Sequence, residues 1–197
     1  MSHRSRRLER IKTKLKDLKD TSELMIDLAY SALIFNSKEI AEEVRRLEEY
    51  VDRLHTTFEL MVLSMQRLPE EADETLSLIR LSIAAEEIAD AAAQIAEIVL
   101  KGVEPHPILK VVMGEAEETV VRARVAKKSI LAGKSLKDLD LPSNAGMWVI
   151  AIRRGRRWVY NPGGQTVIKP GDVLIARGYS EGREVLEGLA AGRIREL

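Results

Sequence analysis

Glycine is distributed unevenly along this chain, and that distribution limits the fold more than any other feature. The first 101 residues contain no glycine, whereas all twelve glycines and five of the six prolines follow from Gly102 onward. Glycine and proline interrupt regular elements, so the first part suits long helices and the second part suits shorter elements joined by turns. We therefore predict two domains, residues 1–101 and 108–197, joined by a linker at 102–107 with the sequence GVEPHP.

In the first part, apolar residues recur at steps of three and four, which is typical of amphipathic helices. The first such stretch begins at Leu8 and continues to Ala32. Its sequence DTSE at 20–23 resembles a helix-starting capping box, which predicts a start or a bend there. The alternative is one unbroken helix from about residue 5.

Two more helical stretches follow after short connections. The second starts at a capping-box sequence at 36–39, continues from Ile40 to Leu68 and is closed by Pro69. The third extends from about residue 70 to Lys101. Three long helices with short connections predict an antiparallel bundle.

In the second part, the hydrophobic period changes from that of a helix to that of β-strands. We predict strands at 119–125, 147–152, 158–160 and 173–176. Helices are predicted at 107–118, at one turn capped by Ser135, and at 181–191 behind Ser180. The predicted fold class is therefore multidomain: a three-helix bundle followed by a small domain that combines helices and strands.

The third helix carries the most unusual composition of the chain, LSIAAEEIADAAAQIAEIVL at 81–100. Its many alanines allow neighbouring helices to approach closely. At about 100° per residue, Glu86 and Asp90 lie on the same side as Leu76, Ile79 and Ile83. Two carboxylates four residues apart repel each other, so we expect water, a basic neighbour or a cation to offset their charge.

The second helix carries a similar acidic pair, Glu48 and Asp52, followed by His55. If this pair faces Glu86 and Asp90, four carboxylates meet. Such an oxygen-rich site suits magnesium, calcium or manganese, and His55 extends the choice to iron or zinc. The alternative interpretation is a solvated acidic face with ordinary salt bridges, because the second helix is rich in surface charge.

A basic stretch follows the predicted strand at 147–152, with Arg153, Arg154, Arg156 and Arg157 surrounding Gly155. Arginine binds anions and phosphate well, so Arg153 and Arg154 are candidate contacts for a small anionic ligand. The alternative is an exposed turn whose charge maintains solubility and protects a strand edge from pairing.

The composition excludes several classes of function. The chain has no cysteine, which removes disulfides, cysteine metal sites and thiol catalysis. It has 31 basic and 31 acidic residues, so we expect no nucleic-acid partner. It has no apolar run of transmembrane length and no signal-peptide core, which predicts a soluble intracellular protein. It also lacks a phosphate-binding glycine loop and a supported catalytic triad, so we expect no enzyme.

The first part resembles a single PhoU repeat, a three-helix bundle with E-x-x-x-D motifs on its second and third helices. Glu48 with Asp52, and Glu86 with Asp90, match those motifs. The stretch LIRLSIAAEEIADAAAQIAEIVL is similar to the third-helix signature. This resemblance implies a divalent metal site at these four residues and a regulatory rather than catalytic role.

The second part resembles a TrkA-C domain, the C-terminal regulatory domain of potassium conductance. The matching sequences are GKSLKDLDL, GMWVIAIRRG and KPGDVLIARG. The resemblance implies a homodimer on the cytoplasmic side of a potassium channel or transporter, in some relatives with a cyclic dinucleotide bound between the subunits. The pairing of the two domains resembles small archaeal proteins related to potassium or other cation transport.

Two functions follow as hypotheses. The leading one is a regulatory, non-catalytic cytoplasmic protein of potassium transport that senses a ligand or metal and associates with a membrane partner. The alternative is a metal-dependent enzyme or metal-binding protein that uses the helical carboxylate cluster. A dimeric scaffold, in which the acidic pairs only form salt bridges, is a third interpretation.

Overall fold

The computed structural model describes residues 3–64, 72–104, 106–114 and 116–196. The chain divides into two compact units, Met1–Glu104 and Pro105–Leu197. The division falls inside the segment 102–107 that the sequence predicts as a linker. Each unit has its own buried core.

The first unit consists of three long helices. Their bounds are α1 His3–Ile34, α2 Lys38–Leu63 and α3 Ala72–Leu100. Each helix packs against the other two. The helical bundle predicted from the apolar spacing is therefore present. The predicted closing residue Pro69 lies outside the described residues, and α2 ends at Leu63 with Ser64 as its C-cap.

The predicted break at 20–23 is wrong, because α1 is one continuous helix from His3 to Ile34. The carboxylate of Asp20, the cap position of the predicted capping box, pairs with Lys16 and Lys19 of the same helix. Ser22 donates its hydroxyl to Leu18 O at 2.9 Å, so it too is bonded within the continuous helix. Thr21 and Ser22 are both buried. A serine inside a helix commonly bonds back in this way, and the alternative of an unbroken helix is the correct one.

The three helices contribute side chains of different size to the core of the bundle. Bulky side chains such as Leu18, Met25 and Phe58 come from α1 and α2 and are fully buried. The third helix contributes mostly alanine, and its buried residues are Ser82, Ala85, Ala89, Ala92, Ala96 and Val99. Small residues on α3 let the larger side chains of the other two helices fill the space.

The described residues of the second unit form four strands and four short helices. Their bounds are α4 Ile108–Gly114, β1 Glu118–Arg124, α5 Leu136–Leu139, α6 Leu141–Ala145, β2 Met147–Arg154, β3 Arg157–Tyr160, β4 Val173–Tyr179 and α7 Gly182–Ala191. The sheet order is β1-β4-β2-β3 and every neighbouring pair is antiparallel. The register between β2 and β4 shifts at Ile150.

One face of the sheet packs against α6 and α7 around a core that includes Val121, Met147, Leu174 and Leu186. Ser135 caps α5 as the sequence predicts, because its side-chain oxygen accepts a hydrogen bond from Asp138 N at 3.1 Å. Ser180 does not cap the last helix, whose N-cap is Glu181. No helix in the described ranges is long and apolar enough to cross a membrane.

Candidate functional site

The acidic pair of α2 lies beside the buried face of that helix. Val44, Leu47 and Val51 are buried against the bundle, and this packing fixes the rotation of α2 about its axis. Glu48 is therefore partly buried at the edge of the packed face, while Asp52 one turn later is exposed. The two carboxylates project together from α2 because residues four apart share a helix face.

On α3, Asp90 lies close to the acidic pair of α2. One carboxylate oxygen from each of Glu48, Asp52 and Asp90 lies within 4.8 Å of the others. The buried seam of Ala85 and Ala89 on α3 allows this close approach of the two helices. The structure thus brings three of the four predicted acidic residues into one group.

The electrostatics of Glu48 show how crowded this group is. Burial raises the pKa of Glu48, and the carboxylates of Asp52 and Asp90 raise it further. Glu86 also contributes to that increase in pKa, although by less. Like charges held close together favour the protonated form of a carboxyl.

Glu86 borders this group rather than joining it. Burial is the main cause of its raised pKa, and the charge of Asp90 adds to the effect, whereas His55 lowers the pKa of Glu86. His55 is half-buried, and its Nε2 atom lies 3.0 Å from Glu59 Oε1, without the geometry of a hydrogen bond. The carboxyl of Glu86 is therefore influenced both by Asp90 of the group and by His55.

The donor set fits a hard divalent cation. Oxygen ligands bind magnesium or calcium at about 2.0–2.6 Å, so two ligands of one ion lie up to about 4–5 Å apart. The oxygens of Glu48, Asp52 and Asp90 satisfy that spacing. A cation would neutralise charges that otherwise repel each other. The four-residue metal site stays a prediction, with Glu86 at its border.

The structure places Arg153 and Arg154 at the end of β2, where the β2–β3 hairpin turns. The guanidinium of Arg154 donates from Nε to Asp172 Oδ1 at 2.9 Å and from Nη2 to Asp172 Oδ2 at 2.7 Å. Arg154 Nη2 also donates to Val167 O at 2.8 Å. Arg153 is half-buried on the adjacent position of the strand. A ligand-binding role for the two residues stays a prediction.

Sequence reasoning missed Asp172, which is almost completely buried and also accepts a hydrogen bond from Lys169 N at 2.8 Å. The sequence KPGD at 169–172 indicates a turn, and its carboxylate indeed closes that turn. The sequence did show that Asp172 directly precedes a predicted buried strand. It could not show which arginine pairs with Asp172, because that depends on how the strands of the sheet are arranged.

Two family models match this chain. Residues 15–99 match the PhoU domain, and residues 120–189 match the TrkA-C domain. The first match covers most of the three-helix unit, including the parts of α2 and α3 that supply the acidic group, and the second covers most of the four-stranded sheet. The resemblance of the first part to a PhoU repeat and of the second part to a TrkA-C domain is confirmed.

Curated relatives include two proteins of Methanocaldococcus jannaschii. "Probable potassium channel protein 2" is 34% identical over 91 residues, which cover 45% of this chain and 26% of the relative. "Potassium channel protein 1" is 32% identical over 76 residues, which cover 39% of this chain and 23% of the relative. The similar region thus spans about a quarter of the length of each relative.

Solved structures with a similar part include two regulatory domains bound to a cyclic dinucleotide. The RCK_C domain dimer of S. agalactiae BusR in complex with c-di-AMP is 22% identical, has a TM-score of 0.36, and is matched over 40% of this chain and 96% of that one. The RCK C domain of the potassium transport protein KtrA in complex with c-di-AMP is 29% identical, has a TM-score of 0.33, and is matched over 41% and 92%.

Proposed function

We propose that this chain, which carries a PhoU domain followed by a TrkA-C domain, regulates the transmembrane transport of a cation, with potassium as the first candidate. The observation that carries this proposal is the pairing of the two domains in one chain. The names of the two curated relatives, both potassium channel proteins, support the choice of ion. The match covers only about a quarter of each relative, whereas the proposed function is that of this whole chain.

The two domains divide the regulatory task in this proposal. The acidic group of Glu48, Asp52 and Asp90, with Glu86 at its border, binds a divalent cation. The TrkA-C domain binds a small anionic ligand, with Arg153 and Arg154 as candidate contacts. A ligand changes the state of a regulator only if it binds two conformations with different affinity, so each ligand must favour one arrangement of the chain.

The partners follow from this role. The protein acts in the cytoplasm as a homodimer and docks on a membrane channel or transporter that conducts the ion. It performs no catalysis, and no nucleic acid takes part. The c-di-AMP complexes of the two solved regulatory domains suggest a cyclic dinucleotide as the first ligand to test.

Potassium uptake in a strain that lacks this chain tests the proposal. We expect uptake to change on deletion and to recover when the chain is restored. A variant that combines Glu48→Gln with Asp90→Asn should restore uptake but alter its response to divalent metal. The matched control is Glu42→Gln, an exposed position on the same helix. Unchanged uptake in the deletion strain would contradict the proposal.

The carboxylate group also supports a second candidate function, a metal-dependent enzyme. Three carboxylates within 4.8 Å of one another form an open group at the protein surface, where a substrate can reach a bound ion. Hydrolase or oxidase activity that requires added metal and is lost in Asp90→Asn would favour this candidate. Activity that persists in Asp90→Asn would come from elsewhere.

A further inference from the structure

The outward side of α3 carries a regular apolar seam that the bundle does not use. We call it the outer seam, and its residues are Leu81, Ala84, Ile88, Ala91, Ile95 and Ile98. They follow one another at steps of three, four, three, four and three, which is the spacing of a helix that packs along its whole length against another helix. None of these residues carries charge.

Five of the six outer-seam residues are exposed, and Ile95 is half-buried. Leu81 is 53% exposed, Ile88 44% and Ile98 39%. The buried seam of α3, which runs from Ser82 to Val99, lies one residue later at every position and packs inside the bundle. The third helix therefore has two neighbouring seams of the same period, of which one has partners and the other faces solvent. Contiguous exposed apolar surface of this kind commonly marks an interface.

We propose that the outer seam binds the outer seam of a second copy of this chain, with the two α3 helices antiparallel. In that arrangement Leu81 of one copy faces Ile98 of the other, Ala84 faces Ile95, and Ile88 faces Ala91. In the pairs Ala84–Ile95 and Ile88–Ala91, one large side chain contacts one small side chain. The same pairs recur on both sides of the twofold axis, as a symmetric interface requires.

The opposite, parallel arrangement fits poorly. In that arrangement each residue faces the same residue of the other copy, so that Ala84 would face Ala84 and Ile88 would face Ile88. Layers of two alanines next to layers of two isoleucines leave gaps that packed interfaces avoid. The size pattern of the seam therefore selects the antiparallel arrangement and a second copy as the occupant.

Charges beside the outer seam are compatible with antiparallel pairing. Glu87 of one copy lies next to Gln94 of the other, so no carboxylates oppose each other near the twofold axis. At each end Arg80 approaches Lys101, whose Nζ lies 3.5 Å from Glu97 Oε1 in its own chain. That ion pair reduces the repulsion at the two ends of the interface.

The interface leaves the acidic group accessible. Glu86 and Asp90 follow the outer-seam positions Ala84 and Ile88 by two residues, which is about 200° around the helix. The acidic group therefore lies on the far side of α3 from the second copy. This inference rests on the homodimer of the proposed function and names a contact surface for it, and loss of pairing leaves the metal ligands in place.

Cysteine cross-linking of the full chain tests the arrangement, because the natural sequence has no cysteine. The variants are Leu81→Cys, Ile98→Cys and the double variant, each treated with a mild oxidant. Residues 81 and 98 of one helix lie about 26 Å apart at 1.5 Å per residue, far beyond disulfide reach. We expect covalent dimer in the double variant and monomer in both single variants. Thr57→Cys, on the exposed side of α2, is the control for random collisions.

A second substitution distinguishes the seam from any other contact between copies. Ile88→Arg in the double-cysteine background places two cations beside the twofold axis, and we expect the covalent dimer to be lost while circular dichroism retains the helical signal. Covalent dimer in either single variant would show a different arrangement. Monomer in the double variant, or dimer that survives Ile88→Arg, would overturn the proposal.

Discussion

Arg154 and Asp172 form a bidentate ion pair that connects the end of β2 to the turn before β4. Arg154 Nε and Nη2 lie 2.9 and 2.7 Å from the two carboxylate oxygens of Asp172. Asp172 is only 1% exposed, whereas the side chain of Arg154 is 34% exposed. The arginine therefore neutralises a carboxylate that water cannot reach.

Removing Arg154 should destabilise the second unit. In Arg154→Met, Asp172 keeps its hydrogen bond from Lys169 N but loses its counter-charge. Removal of one partner of a buried pair costs about 3–5 kcal/mol, and the partial exposure of Arg154 places the expected loss near the lower end, at about 3 kcal/mol. Chemical denaturation measures this loss. Compared with Arg154→Met, Arg154→Lys should recover only part of the lost stability, since lysine keeps the charge but cannot donate two parallel hydrogen bonds as a guanidinium does.

The matched control for this ion pair is Arg156→Met, in the exposed turn of the same hairpin. It removes the same charge without unpairing a buried carboxylate, so we expect a change in the free energy of unfolding within about 0.5 kcal/mol. Equal stability losses in Arg154→Met and Arg156→Met would show that the pair does not stabilise the fold.

Tyr50 should make the first unit sensitive to high pH. Its hydroxyl donates to Asp17 Oδ2 at 2.6 Å and links α2 to α1. This hydrogen bond, with burial and the charge of Asp17, raises the pKa of Tyr50 to about 12. The folded state thus holds the phenolic proton more tightly than the unfolded chain, so stability should fall as pH rises from about 10 to 12. Tyr50→Phe should cost about 0.5–1.5 kcal/mol at neutral pH and remove this loss.

Absorbance at alkaline pH distinguishes Tyr50 from the other three tyrosines of the chain. Tyr50→Phe should remove the step that titrates near pH 12. The control Tyr30→Phe, on the half-exposed side of α1, should retain that step. A step near pH 12 that persists in Tyr50→Phe would contradict the assignment.

The two-domain organisation was predictable because glycine and apolar spacing act locally. A glycine-free stretch with apolar steps of three and four leaves few alternatives to long helices, and three such helices formed. The capping sequence at 20–23 misled for a physical reason. A capping box competes weakly with a helix whose residues on both sides are already buried, as Leu18, Leu24 and Met25 are.

The acidic group was only half predictable. Helical spacing places Glu48 beside Asp52, and Glu86 beside Asp90, on any helix. Whether the two pairs meet depends on how α2 and α3 rotate against each other, which buried residues such as Val51 and Ala89 decide together. The pairing of Arg154 with Asp172 was not predictable, since eighteen residues and a sheet register separate the two.

A side chain at position 178 should destabilise the second unit. A Cβ atom at this position would lie 2.0 Å from Gly146 O and 2.9 Å from Met147 Cα. Both are backbone atoms of the segment that pairs with β4, so the strands would have to separate. We expect Gly178→Ala to cost about 1–3 kcal/mol or more, measured by denaturation. Gly163→Ala, where the added atom meets nothing within 4 Å, should leave stability nearly unchanged, and equal effects would contradict this account.

The acidic group should make the first unit less stable as pH rises. The pKa values of Glu48 and Glu86 are raised by burial and by neighbouring carboxylates. A carboxyl with a raised pKa holds its proton more tightly in the folded state, so stability is greatest below its unfolded-state pKa and falls as pH rises through the folded-state value. Glu48→Gln should therefore stabilise the metal-free protein at neutral pH, by about 0.2–0.5 kcal/mol for the pair with Asp52.

A divalent cation should reverse this loss, because it binds the carboxylates in the ionised form. At a hundredfold excess of manganese over its dissociation constant, the expected gain at pH 7 is about 2.7 kcal/mol, measured as a rise in the unfolding temperature. The gain should shrink near pH 4, where protons compete for the same oxygens. Asp90→Asn should lower the gain, and Glu42→Gln should retain it. If manganese raises the unfolding temperature of Asp90→Asn and the natural chain equally, the ion binds elsewhere.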